Sequence, residues 1–310
     1  MPGRSHRKGI TTIELFQLFP DDEAAEKWFE DQRWPEGRFC PDCGSTRTVE
    51  TKNRKPWPYR CKDCRRGFSV RKGTVMQSSK IGLQKWALAI YTMATELNGT
   101  SSMKISRDLG IHQESAWHLM HRIREAFVAG ADKPFLGPVE ADETYFGGKE
   151  KNKHFHKRLK AHGGGRGTLG KVPIAGVRDR NARQIHAEVV ERPDTKTLQK
   201  FVKDRAAEDA KIYTDQSKVY RGLKNREYVN HSIKQWTKGD VSINGLESFW
   251  SALKNGYRAS YRKYSRKHLD RYVQEFAGRH NIRLMDTIDQ MKFIVRGMLG
   301  KLLPYKDLIR

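Results

Sequence analysis

Four cysteines in two pairs constrain this chain more than any other feature. Cys40-Pro-Asp-Cys43 and Cys61-Lys-Asp-Cys64 are separated by residues 44–60. Two such knuckles supply four thiolates to one tetrahedral zinc ion. Gly44 and Gly67 follow the knuckles, where tight turns favour small residues. Four sulfur ligands leave no open coordination position, so the zinc is structural. The competing reading, a pair of redox disulfides, needs a thioredoxin-like βαβ context that the surrounding residues lack. Residues 57–61 and 67–70 read as the strands of a zinc ribbon. Nine Lys and Arg residues cluster between Lys52 and Lys72, which fits either a DNA-contacting ribbon or a solvated surface.

Charge points to the partner. The 310 residues carry 60 Lys and Arg against 36 Asp and Glu, a formal net charge of +24. A chain this basic meets a polyanion, most commonly nucleic acid; a ribosome-associated or membrane-surface protein is the alternative. No apolar run reaches membrane-spanning length. The basic N-terminus lacks the apolar core of a signal peptide. The expected location is cytoplasmic.

Helical periodicity brackets the ribbon. Residues 11–29 carry apolar positions at helical spacing, divided by Pro20 into two short helices. Beyond the ribbon, Trp86, Ile90, Met93 and Leu97 mark one face of a helix over 83–97. Ser101 or Ser102 caps a second helix, Gly110 ends it in a left-handed turn, and a third starts near Gln113. This is helix-turn-helix spacing, and it places Gln113, Glu114, Ser115 and His118 where such motifs touch bases. An ordinary three-helix packing unit has the same periodicity. His112, His118 and His121 lack matched ligand spacing and are read as non-ligands.

From residue 138 to 233 short β-like runs dominate. Residues 138–148 read as a strand ending in a glycine turn, with Asp142 inside it. Residues 172–177 and 184–190 are the next two strands, 195–207 an amphipathic helix, and 210–216 a fourth strand with Asp215 near its end. Residues 227–233 form a possible fifth, and a helix over 243–257 carries Glu247. The order β-β-β-α-β-β-α is that of the RNase H fold. Its first and fourth strands are neighbours, so Asp142 and Asp215 fall side by side. Carboxylates so arranged suit Mg²⁺, which takes hard oxygen ligands and few protein groups. Glu140, Glu143, Asp179 and Asp240 are alternative acids, and a lone Asp at a strand end is more often a solvated cap.

Three segments, Val139-Glu-Ala-Asp-Glu-Thr-Tyr-Phe-Gly-Gly148, Tyr213-Thr-Asp215 and Asn244-Gly-Leu-Glu-Ser-Phe-Trp-Ser-Ala-Leu-Lys254, together resemble one family. It is the family of zinc-ribbon DDE transposases of small bacterial insertion sequences, relatives of the eukaryotic Merlin elements. The 272–281 segment also looks like this family's C-terminal helix, so the resemblance spans nearly the whole chain. It implies that Asp142, Asp215 and a third residue among 244–247 bind two Mg²⁺ or Mn²⁺ ions. Family members carry Glu or Asn in third place. Glu247 is favoured because a carboxylate holds Mg²⁺ better than an amide. Asn244, one turn earlier, contacts DNA or shares the site. Lys254, on the same face, is implied to contact the transposon end.

Between Lys254 and Arg283 nine Lys and Arg face two acids, Asp270 and Glu275. Arg258, Arg262, Lys263 and Arg279 are therefore candidate phosphate contacts. Tyr257, Tyr261, Tyr264 and Tyr272 interleave as candidates for hydrogen bonding to phosphates or stacking on bases. The Gly/Lys/His segment 147–171 reads as a loop ordered by DNA or as a surface insertion.

The expected architecture is multidomain α+β. It comprises an N-terminal helical segment (1–35), a zinc ribbon (36–78), a helix-turn-helix-like domain (79–135), an RNase H-like catalytic domain with helical C-terminus (136–285) and a helical tail (286–310). The expected activity is that of a transposase, which binds terminal inverted repeats and cleaves and joins DNA. It works as a homodimer or larger synaptic complex on transposon ends and target. A stand-alone RNase H-fold nuclease and a zinc-ribbon DNA-binding regulator are the rival readings.

Overall fold

A computed structural model describes residues 7–128, 134–147, 154, 168, 170–233, 235–262 and 264–310. Most of segment 147–171, His156 included, and Lys263 lie outside the described residues. The fold is multidomain α+β, and the chain divides into two compact units, 1–129 with 282–310, and 130–281.

The first unit opens with α1 (Thr12–Leu18), nucleated by a capping box between Thr11 and Glu14. Asp21 caps α2 (Asp22–Arg33). Pro20 separates the two helices, since proline cannot donate the amide a continuous helix needs. The ribbon is an antiparallel sheet of β1 (Thr48–Glu50), β2 (Tyr59–Cys61) and β3 (Gly67–Phe68), in that order. Trp34, Tyr59 and Phe68 pack edge-to-face or tilted over it, giving this small sheet an apolar cover.

Next, α3 (Leu83–Thr95) buries Leu83, Trp86, Ile90 and Met93. It stops at Thr95, so Leu97 lies beyond it and is 82% exposed, not on its apolar face. Ser101 caps α4 (Ser102–Leu109), and Gly110 adopts the left-handed conformation at φ 57°. Glycine does this without a Cβ penalty. The chain then enters α5 (Gln113–Glu125).

The second unit holds a five-stranded sheet with helices against it. Its strands are β4 (Val139–Phe146), β5 (Val172–Asp179), β6 (Gln184–Val189), β7 (Ile212–Thr214) and β8 (Arg226–Tyr228). The spatial order is β6-β5-β4-β7-β8. The first three are antiparallel neighbours, whereas β7 runs parallel to both β4 and β8. Alternation along β4 divides its side chains between two cores. Val139 and Ala141 join Leu198, Phe201 and Val202 of α6 (Thr195–Arg205). Phe146 joins α7 (Asn244–Gly256) and α8 (Leu269–Ile282) through Leu253, Leu269 and Val273.

The chain then returns to the first unit. Gln290, Met291, Ile294 and Val295 of α9 (Thr287–Gly297) are buried, and α10 (Tyr305–Ile309) closes the chain. Val75 N–H donates to the Met298 carbonyl at 3.3 Å, and Gly300 N–H to the Gly73 carbonyl at 2.9 Å. Among the described residues no helix is long and apolar enough to cross a membrane.

Candidate active site and metal centre

The ribbon's knuckles bring Cys40, Cys43, Cys61 and Cys64 together, with all four sulfurs within 4.8 Å of one another. Cys40 and Cys64 sulfurs are 3.6 Å apart, as are those of Cys43 and Cys61. A tetrahedron with Zn–S bonds of ~2.3 Å has edges of about 3.8 Å, so the four fit a zinc ion. The backbone amides of Ser45 and Arg66 favour the Cys43 and Cys64 thiolates, but burial and the neighbouring sulfurs outweigh them and push both up, Cys43 to about 12, whereas Cys61 moves the other way. The Cys64 backbone N–H, and with it that of Asp63, lowers the Cys61 thiol to about 7 against the burial that opposes ionisation. These four residues form a structural zinc site.

In the second unit β4 carries three acids, Glu140, Asp142 and Glu143. Its parallel register with β7 pairs Val139 with Ile212 and Glu140 with Tyr213. Two residues further along β4 lies Asp142, on the same sheet face as Phe146, and Asp215 directly follows β7, near enough for its charge to act on the Asp142 carboxyl. That face is the one covered by α7. Trp250 Nε1 donates to Asp142 Oδ2 at 3.0 Å. Asp215 Oδ1 accepts from Ser217 N–H at 2.9 Å, and its carbonyl accepts from Arg226 Nη2 at 2.8 Å. Burial pushes the Asp142 carboxyl up to about 8, and the charges of Glu143 and Asp215 push the same way. Such mutually repelling carboxylates are relieved by a divalent cation, so Asp142 and Asp215 fit one.

Glycine at 176 makes the Trp250 contact possible. Gly176 is the β5 residue paired with Asp142. A Cβ built there would lie 2.6 and 2.7 Å from Cζ2 and Cη2 of Trp250. The indole crosses the sheet where that side chain is missing and so reaches the carboxylate.

Glu140 and Glu143 have other tasks. Glu140 is 1% exposed. It accepts from Arg178 Nη1 at 2.7 Å and from the Leu246 backbone N–H at 2.8 Å, with Arg180 Nε at 3.4 Å. It thus ties the first turn of α7 to the sheet, and Gly245 leaves room for the Arg178 guanidinium. Glu143 accepts from the buried Tyr220 hydroxyl at 2.7 Å. Asp179 caps the 180–182 turn through the Asn181 and Ala182 amides, both at 2.8 Å.

Not every candidate converges. Among the described residues only the four cysteines approach as a metal-ligand cluster. Glu247 sits one position beyond the anchored Leu246, with His231 Nδ1 3.9 Å from its Oε1. Asn244 is exposed at the start of α7. Lys254 lies in the field of Asp142. Burial pulls its ammonium below the usual lysine value, the Asp142 charge opposes this, and Arg258 and Lys171 reinforce it. Arg258 and Arg262 are exposed. Arg279 is half-buried, with Nη1 3.3 Å from Glu275 Oε1 and its guanidinium over Phe276. The four tyrosines pack on one another, Tyr264 and Tyr272 stacking at 4.2 Å, so their ring faces serve the core. Gln113 is exposed and donates to Ser102 Oγ at 2.7 Å. His118 is half-buried, its Nε2 3.0 Å from the Leu303 carbonyl. The sequence reading missed Trp250, Gly176, Tyr220, Arg178 and His231; only the Asn244–Lys254 motif hinted at Trp250.

Both regions match known protein families. Residues 134–281 match the ISXO2-like transposase domain and residues 20–67 the transposase zinc-ribbon domain. The chain belongs to the zinc-ribbon transposase family of insertion sequences, and its class is that of a transposase. One relative is an uncharacterised protein in the transposable element ISH50 of Halobacterium salinarum. It is 29% identical over 295 residues, covering 91% of this chain and 99% of that protein. An uncharacterised transposase-like protein of Haemophilus influenzae is 25% identical over 121 residues, 37% of this chain and 97% of that protein.

Proposed function

We propose that this transposase binds the terminal inverted repeats of its insertion sequence, cleaves at the element ends and joins the 3′-OH ends to target DNA. The nearness of the Asp142 and Asp215 charges, with Trp250 of α7 on Asp142, supports this reading. The strand order and directions support an RNase H-like catalytic unit, and α4, the Gly110 turn and α5 support a helix-turn-helix. Asp142, Asp215 and Glu247 hold two Mg²⁺ or Mn²⁺ ions, with Asn244 beside them. Such ions neutralise charge developing on the scissile phosphate and lower the pKa of the attacking water or 3′-hydroxyl. The protein's part is positioning: Trp250 orients Asp142, Arg226 fixes the Asp215 backbone, and Glu140 holds the first turn of α7. Lys254, Arg258, Arg262 and Lys263 face the DNA backbone. Because two ends are processed together, the working form is a homodimer or larger synaptic complex. The protein acts in the cytoplasm, where the element's DNA lies.

The test is cleavage and strand transfer on uncut and pre-cut end substrates in Mg²⁺ and in Mn²⁺. Asp142→Asn and Asp215→Asn abolish both reactions and keep end binding, whereas Glu247→Gln does the same and Asn244→Ala only slows them. An Asp142→Asn variant that still cleaves removes the catalytic reading. A wild type that cleaves but never joins ends is a nuclease. An active Glu247→Gln beside a dead Asn244→Ala makes asparagine the third ligand.

A further inference from the structure

In the first unit a cavity of about 250 Å³ opens between residues 78–81 and α5. Ser79, Lys80, Ser115, His118 and Arg122 supply its polar lining, over a floor that includes Ile81 and Trp86, and no acid lines it. We infer that this cavity binds a phosphodiester oxyanion of the DNA backbone, an assignment that rests on the proposed DNA binding. Arg122 is half-buried and, among the described residues, has no carboxylate partner. Its Nε donates to the Leu303 carbonyl at 3.3 Å, which also accepts from His118 Nε2 at 3.0 Å. This brace fixes the guanidinium and leaves its two terminal nitrogens without a hydrogen-bond acceptor among the described residues. Lys80, exposed at the rim, adds a second cation.

The 78–81 segment is built to donate. Arg71 Nη1 takes the Ser79 and Ile81 carbonyls at 3.2 and 2.8 Å, which occupies two of the segment's acceptors. Ser79 Oγ accepts from Trp86 Nε1 and from the Ile81 N–H, both at 3.2 Å. With both lone pairs engaged, its own proton remains to give to a ligand. Ser78 lies at φ 59°, a left-handed conformation that non-glycine residues adopt rarely and that clusters at ligand sites. Two cations, hydroxyl donors and no acid select an oxyanion, and a planar guanidinium with free terminal nitrogens matches phosphate oxygens in a bidentate fork. A phosphate held here lies beside Ser115 in the first turn of α5, where a helix N-terminus favours negative charge.

The experiment uses full-length zinc-loaded protein, and end duplex and inorganic phosphate are the probes. Lys80→Gln, at an exposed position, and Arg122→Lys, which keeps charge but loses the fork, are compared with wild type over a salt series. Each variant is expected to weaken duplex binding roughly 3- to 10-fold at ~0.1 M salt, and Lys80→Gln to lower the log–log salt slope by about one. Variants that melt and retain zinc like wild type, yet bind duplex with unchanged affinity and slope, overturn the assignment. Phosphate that binds wild type but not Lys80→Gln, while duplex affinity is equal in the two, makes free phosphate the ligand and also overturns it. A wild type that binds no duplex overturns the proposed DNA binding instead.

Discussion

Gly176→Ala probes the active site by adding one methyl group. The new Cβ would meet Trp250 Cζ2 at 2.6 Å and Leu246 Cδ1 at 3.3 Å, where ordinary contacts begin at 3.4 Å. The indole must retreat by roughly 1 Å, and overpacking of this kind costs about 1–3 kcal/mol. For a unit of residues 130–281, each kcal/mol lowers Tm by about 2–4 °C. The retreat also breaks the Trp250–Asp142 hydrogen bond, which holds the Asp142 pKa down. Its loss moves the carboxyl above about 8 and weakens divalent-metal binding. Loss of a group that orients a ligand typically costs ~10- to 100-fold in metal affinity or activity. Thermal melting and the Mn²⁺ dependence of end cleavage read the two effects. Trp250→Phe removes the atoms that clash, so the double variant Gly176→Ala/Trp250→Phe melts no lower than Trp250→Phe alone, a coupling of about 1 kcal/mol or more. Additive losses, or a Gly176→Ala protein that melts and cleaves like wild type, refute the Gly176–Trp250–Asp142 arrangement.

Cys43→Ser releases the zinc and exposes residues 20–67 to protease, because the metal site supplies most of so small a module's stability; zinc retained in stoichiometric amount contradicts the four-cysteine site. Asp142, with its carboxyl near 8, is mostly protonated at pH 7, so Mn²⁺ must displace a proton and its affinity falls up to ~10-fold per pH unit below 8; calorimetry between pH 6 and 9 that finds a flat profile disproves the shift. The same raised pKa means that Asp142's own contribution to metal-free stability is fully present below the unfolded value, 3.8, and is lost as pH rises through about 8, which bound Mn²⁺ reverses. Glu140→Ala strands the Arg178 guanidinium and lowers stability by about 3–5 kcal/mol; an unchanged urea midpoint shows that the α7 anchor contributes nothing.

The zinc site was legible because both knuckles are local and their chemistry is fully specified by spacing. The β4 strand and the Gly110 turn were legible for the same reason, since alternation and a left-handed glycine are short-range signals. Asp142 and Asp215 could be paired only by assuming a topology; β4 does run parallel beside β7, the strand that Asp215 follows. What was not legible is what lies far apart in the chain. Trp250 touches Asp142 across 108 residues, and no periodicity announces that Gly176 makes room for it. Composition alone does not show that Arg279 pairs with Glu275 or that the tyrosines of 257–272 pack on one another. His118 met the Leu303 carbonyl because the tail folds back, which a linear division into five segments does not anticipate.

The return of residues 282–310 to the first unit has a genetic consequence. Transposable elements decay by losing one end of their reading frame, and a truncated product that keeps its DNA-binding half can compete with the intact enzyme. Here a frame that stops anywhere in the second unit omits the strand-like bridge of Leu299 to Thr74 and the Thr287 amide bound to the Lys8 carbonyl. It also omits Lys301, whose ammonium closes on the Glu125 and Val128 carbonyls. The ribbon and the helices α1 to α5 of such a fragment lack α9, whose buried side chains pack within the same unit. A product that ends there is therefore expected to be cut by protease where the full chain is not, which limited proteolysis of the two checks.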